Sequence, residues 1–480
     1  MQTALPATRR LRVFGSYAAM LAATALVYLW IRSRGEQLSA PAPAESTGPG
    51  VLPQHSTVLA HFLLALAVIT VLARFFGGFF RRYLHQPPVI GEMVAGLALG
   101  PSVLGAISPA AYDFLLPAST APYVSVISKV GVVLFMFLVG LDLDLKLLRG
   151  QTHTAIAISH ASIIFPFVLG AGLALSMYPL YSSHDVSFTV FSLFLGVSMS
   201  VTAFPVLARI LVDRRVQHTP LGAAALACAA VDDATAWSLL AFVAAVATSQ
   251  VGDAAWTVGL VLCYVAVMVF VVRPLASRFV EREQRSQEPL SHTAFAIVLT
   301  ALLLSAVATE AIGIHALFGA FLLGAILPNK GRLPDQIRAR LLDVVLVLFL
   351  PSFFAFTGMR TQIGLLDSAR DWWVCGLVIL VATLGKFGGT FCAARLTGLG
   401  WRQSAMLGTL MNTRGLMELI VLNLGLDMKV ITPTVFTMMI IMAIVTTFAT
   451  TPVLRLLQGR FGLAEVFAIR RDADDERVRA

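Results

Sequence analysis

The sequence predicts an all-α polytopic membrane protein, made of two inverted halves with one extra helix in front of them. Three observations predict it. The chain is 58% hydrophobic and only 13% charged, whereas a soluble domain carries about 25% charged residues. Its apolar residues gather in runs long enough to cross a bilayer, which takes about 20 residues in a helix. Two of those runs are interrupted by polar clusters, and the two hold corresponding places in the halves.

The first run covers 13–31, behind Arg9, Arg10 and Arg12. A signal peptide is one reading, with Ala42-Pro43-Ala44 as a poor cleavage site. A retained helix is favoured, because the run is long and Arg32 and Arg34 follow it at once. Residues 33–55 are rich in Pro, Ser, Gly and Ala and read as a linker, so 1–56 is an N-terminal helix plus linker. The membrane domain is expected over 57–458, and 459–480 is a charged tail.

Within that domain a run covers 57–80 and ends in Arg81-Arg82. The next is glycine-dense, through Ala95-Gly96-Leu97-Ala98-Leu99-Gly100, which suits close helix packing. Runs follow over 124–141, 155–177, 188–211, 221–246 and 256–272, and then a charged loop over 273–288. The second half has runs over 293–307, 315–327, 342–356, 372–394, 404–424 and 431–454. Cys228, Cys263, Cys375 and Cys392 all fall inside runs with no metal-type spacing and read as small buried hydrophobes.

The basic residues set the orientation. With the N-terminus inside, only Arg32, Arg34, Arg360, Arg370 and Lys429 of the 35 Lys and Arg fall in outside segments. Both termini are therefore expected in the cytoplasm. The same bias accounts for the net charge of +9 without a nucleic-acid partner.

Asp232 and Asp233 lie in the middle of the 221–246 run. A charge at that depth costs about 2.5–3.5 kcal/mol on insertion scales, and the usual reason for one is an ion or proton pathway. In the 372–394 run Lys386 is too central to reach an interface and must pair or lose its proton. Adjacent helix residues point about 100° apart, so one aspartate can hold Lys386 while the other faces a water-filled cavity. A cation and a proton competing for that carboxylate, with alternating access, amounts to coupled exchange.

The interrupted runs point to the same place. One reads Ser198-Met199-Ser200-Val201-Thr202-Ala203-Phe204-Pro205, with a proline in mid-span. The hydroxyls of Ser200 and Thr202 can satisfy the freed backbone groups or leave carbonyls open to a cation. The other reads Met411-Asn412-Thr413-Arg414-Gly415-Leu416-Met417-Glu418. Each is the fifth span of its unit, and the units are offset by an odd number of spans, so the second is inserted upside down. Paired interrupted helices in inverted halves mark the binding site of a transporter. Arg414 and Glu418 have two readings, a mutual ion pair on one helix face or a direct role at the site. Asp142 and Asp144 read as interfacial, Glu310 and His315 as a solvated turn, and Trp372 and Trp373 as interfacial anchors.

Here the chain resembles the second family of the monovalent cation–proton antiporter superfamily, which includes bacterial Na+/H+ antiporters, Kef-type potassium efflux systems and plant cation/H+ exchangers. The matching stretches are Gln86-Pro87-Pro88-Val89-Ile90-Gly91-Glu92 with Leu99-Gly100-Pro101-Ser102, the run from Thr202 through Pro205 to Leu211, the Asp232-Asp233 pair, and Asn412 through Glu418 to Val421. The resemblance implies a 13-helix inverted-repeat antiporter fold with two crossed broken helices, to which the first helix is additional. It implies a homodimer with a scaffold over 57–150 and 290–365, a linker helix over 253–275, and a mobile core over 152–250 and 371–457 that works as an elevator. It implies Asp233 as the main cation ligand, Asp232 as the partner of Lys386, and Thr202, Ser200, Pro205, Thr413, Arg414 and Glu418 at the broken helices. The Asp-Asp pair with Lys386 resembles the electrogenic type, which exchanges two protons per sodium. The expectation is Na+/H+ exchange in a bacterial inner membrane, with no cofactor beyond the transported ions. A Kef-type K+/H+ exchanger and a cation channel are the alternatives. A Kef-type or plant C-terminal regulatory domain has no counterpart in the short tail.

Overall fold

The computed structural model describes residues 7–38, 55–142, 153–213, 219–248, 254–285, 290–313, 315–328 and 331–458. The described residues fold into helices in the order α1 (Ala7–Gly35), α2 (His55–Phe79), α3 (Pro88–Leu99), α4 (Pro109–Leu115), α5 (Ala121–Asp142), α6 (His153–Tyr181), α7 (Phe188–Ser200), α8 (Phe204–Asp213), α9 (Pro220–Thr248) and α10 (Ala254–Val267). They continue with α11 (Arg273–Arg285), α12 (His292–Ile312), α13 (Ala316–Ile326), α14 (Arg332–Val344), α15 (Leu350–Arg360), α16 (Ala369–Thr383), α17 (Gly389–Leu396), α18 (Trp401–Met411), α19 (Leu416–Asp427) and α20 (Pro433–Gln458). Five-residue π turns extend α2 (Phe80–Leu84) and join α10 to α11 (Met268–Val272), α14 to α15 (Val345–Phe349) and α16 to α17 (Leu384–Gly388).

With those joins, with α7–α8 and α18–α19 each taken as one interrupted span and the short α4 left out, thirteen helical segments follow α1 among the described residues, in line with the 13-helix expectation. Eight continuous stretches are long and apolar enough to cross a membrane among the described residues. The interrupted crossings are pairs of half-helices, α7 with α8 and α18 with α19. The starts are written in the sequence. Ser187, Ser291 and Ser368 accept backbone N–H bonds at the first turns of α7, α12 and α16. Pro88, Pro109 and Pro433 open their helices, where a missing N–H is harmless.

Two bundles result. The helices α2, α3, α5, α12, α13 and α15 pack on one another, and α6 to α9 pack with α16 to α20. Glycines set the first bundle's spacing: a methyl at Gly96, Gly358, Gly140 or Gly324 would overlap the backbone of the facing helix. The extra helix α1 lies on the second bundle. Ile31 is buried there, and the Tyr28 hydroxyl is 3.2 Å from Ser192 Oγ. Glu36 accepts from Thr189 Oγ1 at 2.6 Å, and with Arg32 3.1 Å away this holds its carboxyl below the usual carboxylate range.

Three expectations change. The loop expected over 273–288 is helical as far as Arg285, because its residues are strongly amphipathic at helical spacing. Cys263 and Cys392 are exposed rather than buried. Glu310 does more than sit in a turn, since its carboxylate accepts from the Ala316 N–H at 2.7 Å and caps α13. Asp144 and the charged tail lie outside the described residues, as does the side chain of Asp142.

Candidate cation and proton site

The two breaks touch. The Ala203 N–H donates to Thr413 O at 3.0 Å, and Thr202 Oγ1 lies 3.4 Å from Met411 O. Gly415 allows the approach, because a methyl there would come within 2.8 Å of Val206 Cγ2. Pro205 does not kink a continuous helix. It is the second residue of α8, so the clash with a preceding turn is avoided by starting the helix there.

A break deep in the structure leaves backbone groups without helical partners, and each must be satisfied. Two cationic side chains serve the end of α7. Arg414 donates to Ser198 O at 3.1 Å and to Met199 O at 2.7 Å. Lys386 Nζ donates to Ser200 O at 2.6 Å. Positive charge at a helix C-terminus is also favoured by the helix dipole. Arg414 pairs with Glu418 Oε2 at 2.6 Å, both fully buried, and Glu418 sits in the first turn of α19, where an acid is favoured. Thr447 Oγ1 bonds both the N–H and the carbonyl of Arg414. The Thr413 hydroxyl donates to Leu410 O, and the Ser200 hydroxyl to carbonyls of Gly196 and Ile163.

Lys386 reaches the site because of its helix. It lies in the π turn between α16 and α17, and Thr390 Oγ1 bonds its carbonyl at 2.7 Å. Gly385 and Gly389 let this stretch press on α6, since a methyl at either would come within 2.7 Å of Pro166 or Phe165. Lys386 Nζ then lies 2.9 Å from Asp232 Oδ2.

Asp232 has three further donors. Ser159 Oγ is 2.6 Å from Oδ1, and Ser162 Oγ and Thr202 Oγ1 are 2.6 and 2.8 Å from Oδ2. Lys386, Asp232, Ser159, Ser162 and Thr202 are all buried. A buried carboxylate is tolerated when paired and hydrogen-bonded in this way. Thr202, expected near a cation, thus serves Asp232 here. The side chains of Asp233 and Pro205 lie outside the described residues.

Sequence reasoning missed Ser159 and Ser162. The signal was two serines three apart in an apolar run, which places both on one face of α6. It also missed a cluster between the bundles near the end of α19. There Asp427 lies 2.9 Å from Lys129 of α5 and 2.7 Å from Arg360 of α15, and Asn423 bonds Arg360 and Thr357.

A family profile for the transmembrane sodium/hydrogen exchanger matches residues 60–457. The chain is 44% identical over 401 residues to the Na(+)/H(+) antiporter NhaS4 of Synechocystis sp., covering 83% of this chain and 97% of that one. It is 39% identical over 420 residues to cation/H(+) antiporter 17 of Arabidopsis thaliana, covering 86% of this chain and 50% of that one. It is 32% identical over 423 residues to K(+)/H(+) antiporter 1 of Saccharomyces cerevisiae, covering 85% of this chain and 48% of that one. The chain thus spans about half the length of these plant and yeast relatives. In fold it resembles the sodium proton antiporter MjNhaP1 of Methanocaldococcus jannaschii, with a TM-score of 0.57, 16% identity, and coverage of 84% of this chain and 99% of that one.

Proposed function

Because the chain belongs to the sodium/hydrogen exchanger family, we propose that it exchanges a monovalent cation for protons across a membrane. The observation that carries this is the buried Lys386–Asp232 pair beside the contact of two broken helices. Asp233 follows Asp232 on α9, about 100° further round the helix. Its carboxylate is the proposed cation ligand, and Asp232 is the partner that holds Lys386.

The proposed cycle is a competition. A cation entering at Asp233 displaces a proton, and a proton displaces the cation on the other side. The second bundle carries the site as a mobile core, and the first bundle, a scaffold that also forms a homodimer, stays in place. Lys386 can release a second proton when its partner changes state, which would make the exchange electrogenic. Both termini are placed in the cytoplasm by the basic-residue bias. Sodium is the favoured cation, in line with the NhaS4 name. Potassium is a second reading, in line with the name of the yeast relative.

The test uses purified protein in liposomes with a pH-sensitive dye and an imposed proton gradient. Na+, K+ and Li+ are added in turn. Cation-dependent collapse of the gradient supports antiport and identifies the ion. Cation flux that follows only its own electrochemical gradient would point instead to a channel.

A further inference from the structure

Between the two bundles, at the end proposed as cytoplasmic, lies a cavity of about 410 Å³. Arg81, His85 and Gln86 line it from the first bundle, and Thr451 and Arg455 from the second. Arg81, His85 and Arg455 therefore line one space, and no acidic residue is among the described residues that line it.

Other basic groups of the first bundle have acidic partners. Arg74 lies 3.7 Å from Glu92, and Lys129 and Arg360 share Asp427. Among the described residues, Arg81 and Arg455 have no ion-pair partner. Two arginines that line one cavity from separate bundles give it a positive potential that favours an anion. His85 adds a third basic group from a left-handed backbone position (φ 53°), a conformation uncommon outside glycine. At the back of the cavity Gln86 is buried. Its Nε2 donates to Phe448 O at 3.0 Å, tying the bundles together, and its Oε1 has no hydrogen-bond partner. That leaves a buried acceptor for a ligand that carries a hydroxyl beside its anionic oxygens.

We propose that this cavity binds a phosphate-bearing anion that bridges Arg81 and Arg455. Guanidinium forks match phosphate oxygens in paired hydrogen bonds, and paired basic groups at the cytoplasmic end of membrane helices bind lipid headgroups. The transported ion is a cation, so this ligand is not cargo. Bound there, it holds the two bundles in the arrangement seen here. That effect on transport rests on the proposed movement of one bundle past the other, whereas binding itself does not.

The experiment measures thermal unfolding of the purified full chain in detergent, with short-chain phosphatidylglycerol, short-chain phosphatidylcholine or inorganic phosphate added. Arg81→Gln and Arg455→Gln are compared with Arg82→Gln, which removes the same charge one residue away from the cavity lining. A saturable rise in melting temperature with phosphatidylglycerol but not phosphatidylcholine is expected for wild type and Arg82→Gln. The rise should be lost in both cavity variants. An equal rise with inorganic phosphate would identify the free anion as sufficient. No rise with either anion, or an equal rise in the cavity variants, would overturn the proposal. Because the readout is unfolding, failure here is distinct from failure of antiport.

Discussion

Lys386 and Asp232 lie 2.9 Å apart with both side chains fully buried, and the lysine also holds the last carbonyl of α7. One contact thus joins the charge pair to the helix break. Removing one member of a buried pair leaves an uncompensated charge, which costs about 3–5 kcal/mol. Lys386→Gln and Asp232→Asn should each lower the melting temperature, and the double variant should lose less than the two losses added together. Additive losses in a thermal-unfolding cycle would mean that the two groups do not act as a pair.

Arg414 should prove structural first. It satisfies Ser198 O and Met199 O and neutralises buried Glu418. Arg414→Ala leaves both tasks undone, and the expected loss is about 3–5 kcal/mol of stability. Adding Glu418→Gln should restore part of it, since the stranded carboxylate is then gone. Expression and melting temperature check this, and no recovery in the double variant would count against it.

Ser159 and Ser162 act on Asp232 together. Hydrogen bonds to a charged group contribute about 1.5–3 kcal/mol each. The double variant Ser159→Ala/Ser162→Ala should fold, with a lower melting temperature and slower exchange in liposomes. Wild-type exchange rates would show that these hydroxyls do not bear on the site's chemistry.

Asp427 joins the bundles through Lys129 and Arg360. These side chains are partly exposed, so the ion pairs add little stability. Their effect should be on movement. With Cys263 and Cys392 replaced by serine, cysteines at Lys129 and Asp427 bridged by a bifunctional thiol reagent that contains a disulfide should stop exchange, and reductive cleavage of the bridge should restore it. Full exchange by the cross-linked protein would exclude relative movement of the bundles at this point.

The fold was legible because lipid imposes simple demands. Long apolar runs must be helices, and polar groups inside them must have partners. The two broken spans and Lys386 stood out for that reason. What the sequence hid were partners without charge. Ser159 and Ser162 look like ordinary small residues of a packed helix until α6 is seen against α9. The Asp427 cluster was hidden differently: its members come from α5, α15 and α19, so only tertiary packing brings them together. The helix over Arg273–Arg285 resembles a loop in its charge content, and only the helical spacing of its apolar residues distinguishes it.

The most direct test replaces one atom group at the proposed cation ligand. Asp233→Asn should reach the membrane, keep its melting behaviour and lose cation-dependent collapse of a proton gradient in liposomes. Unchanged exchange by folded Asp233→Asn would contradict the assignment of the aspartate pair as the site where cation and proton compete.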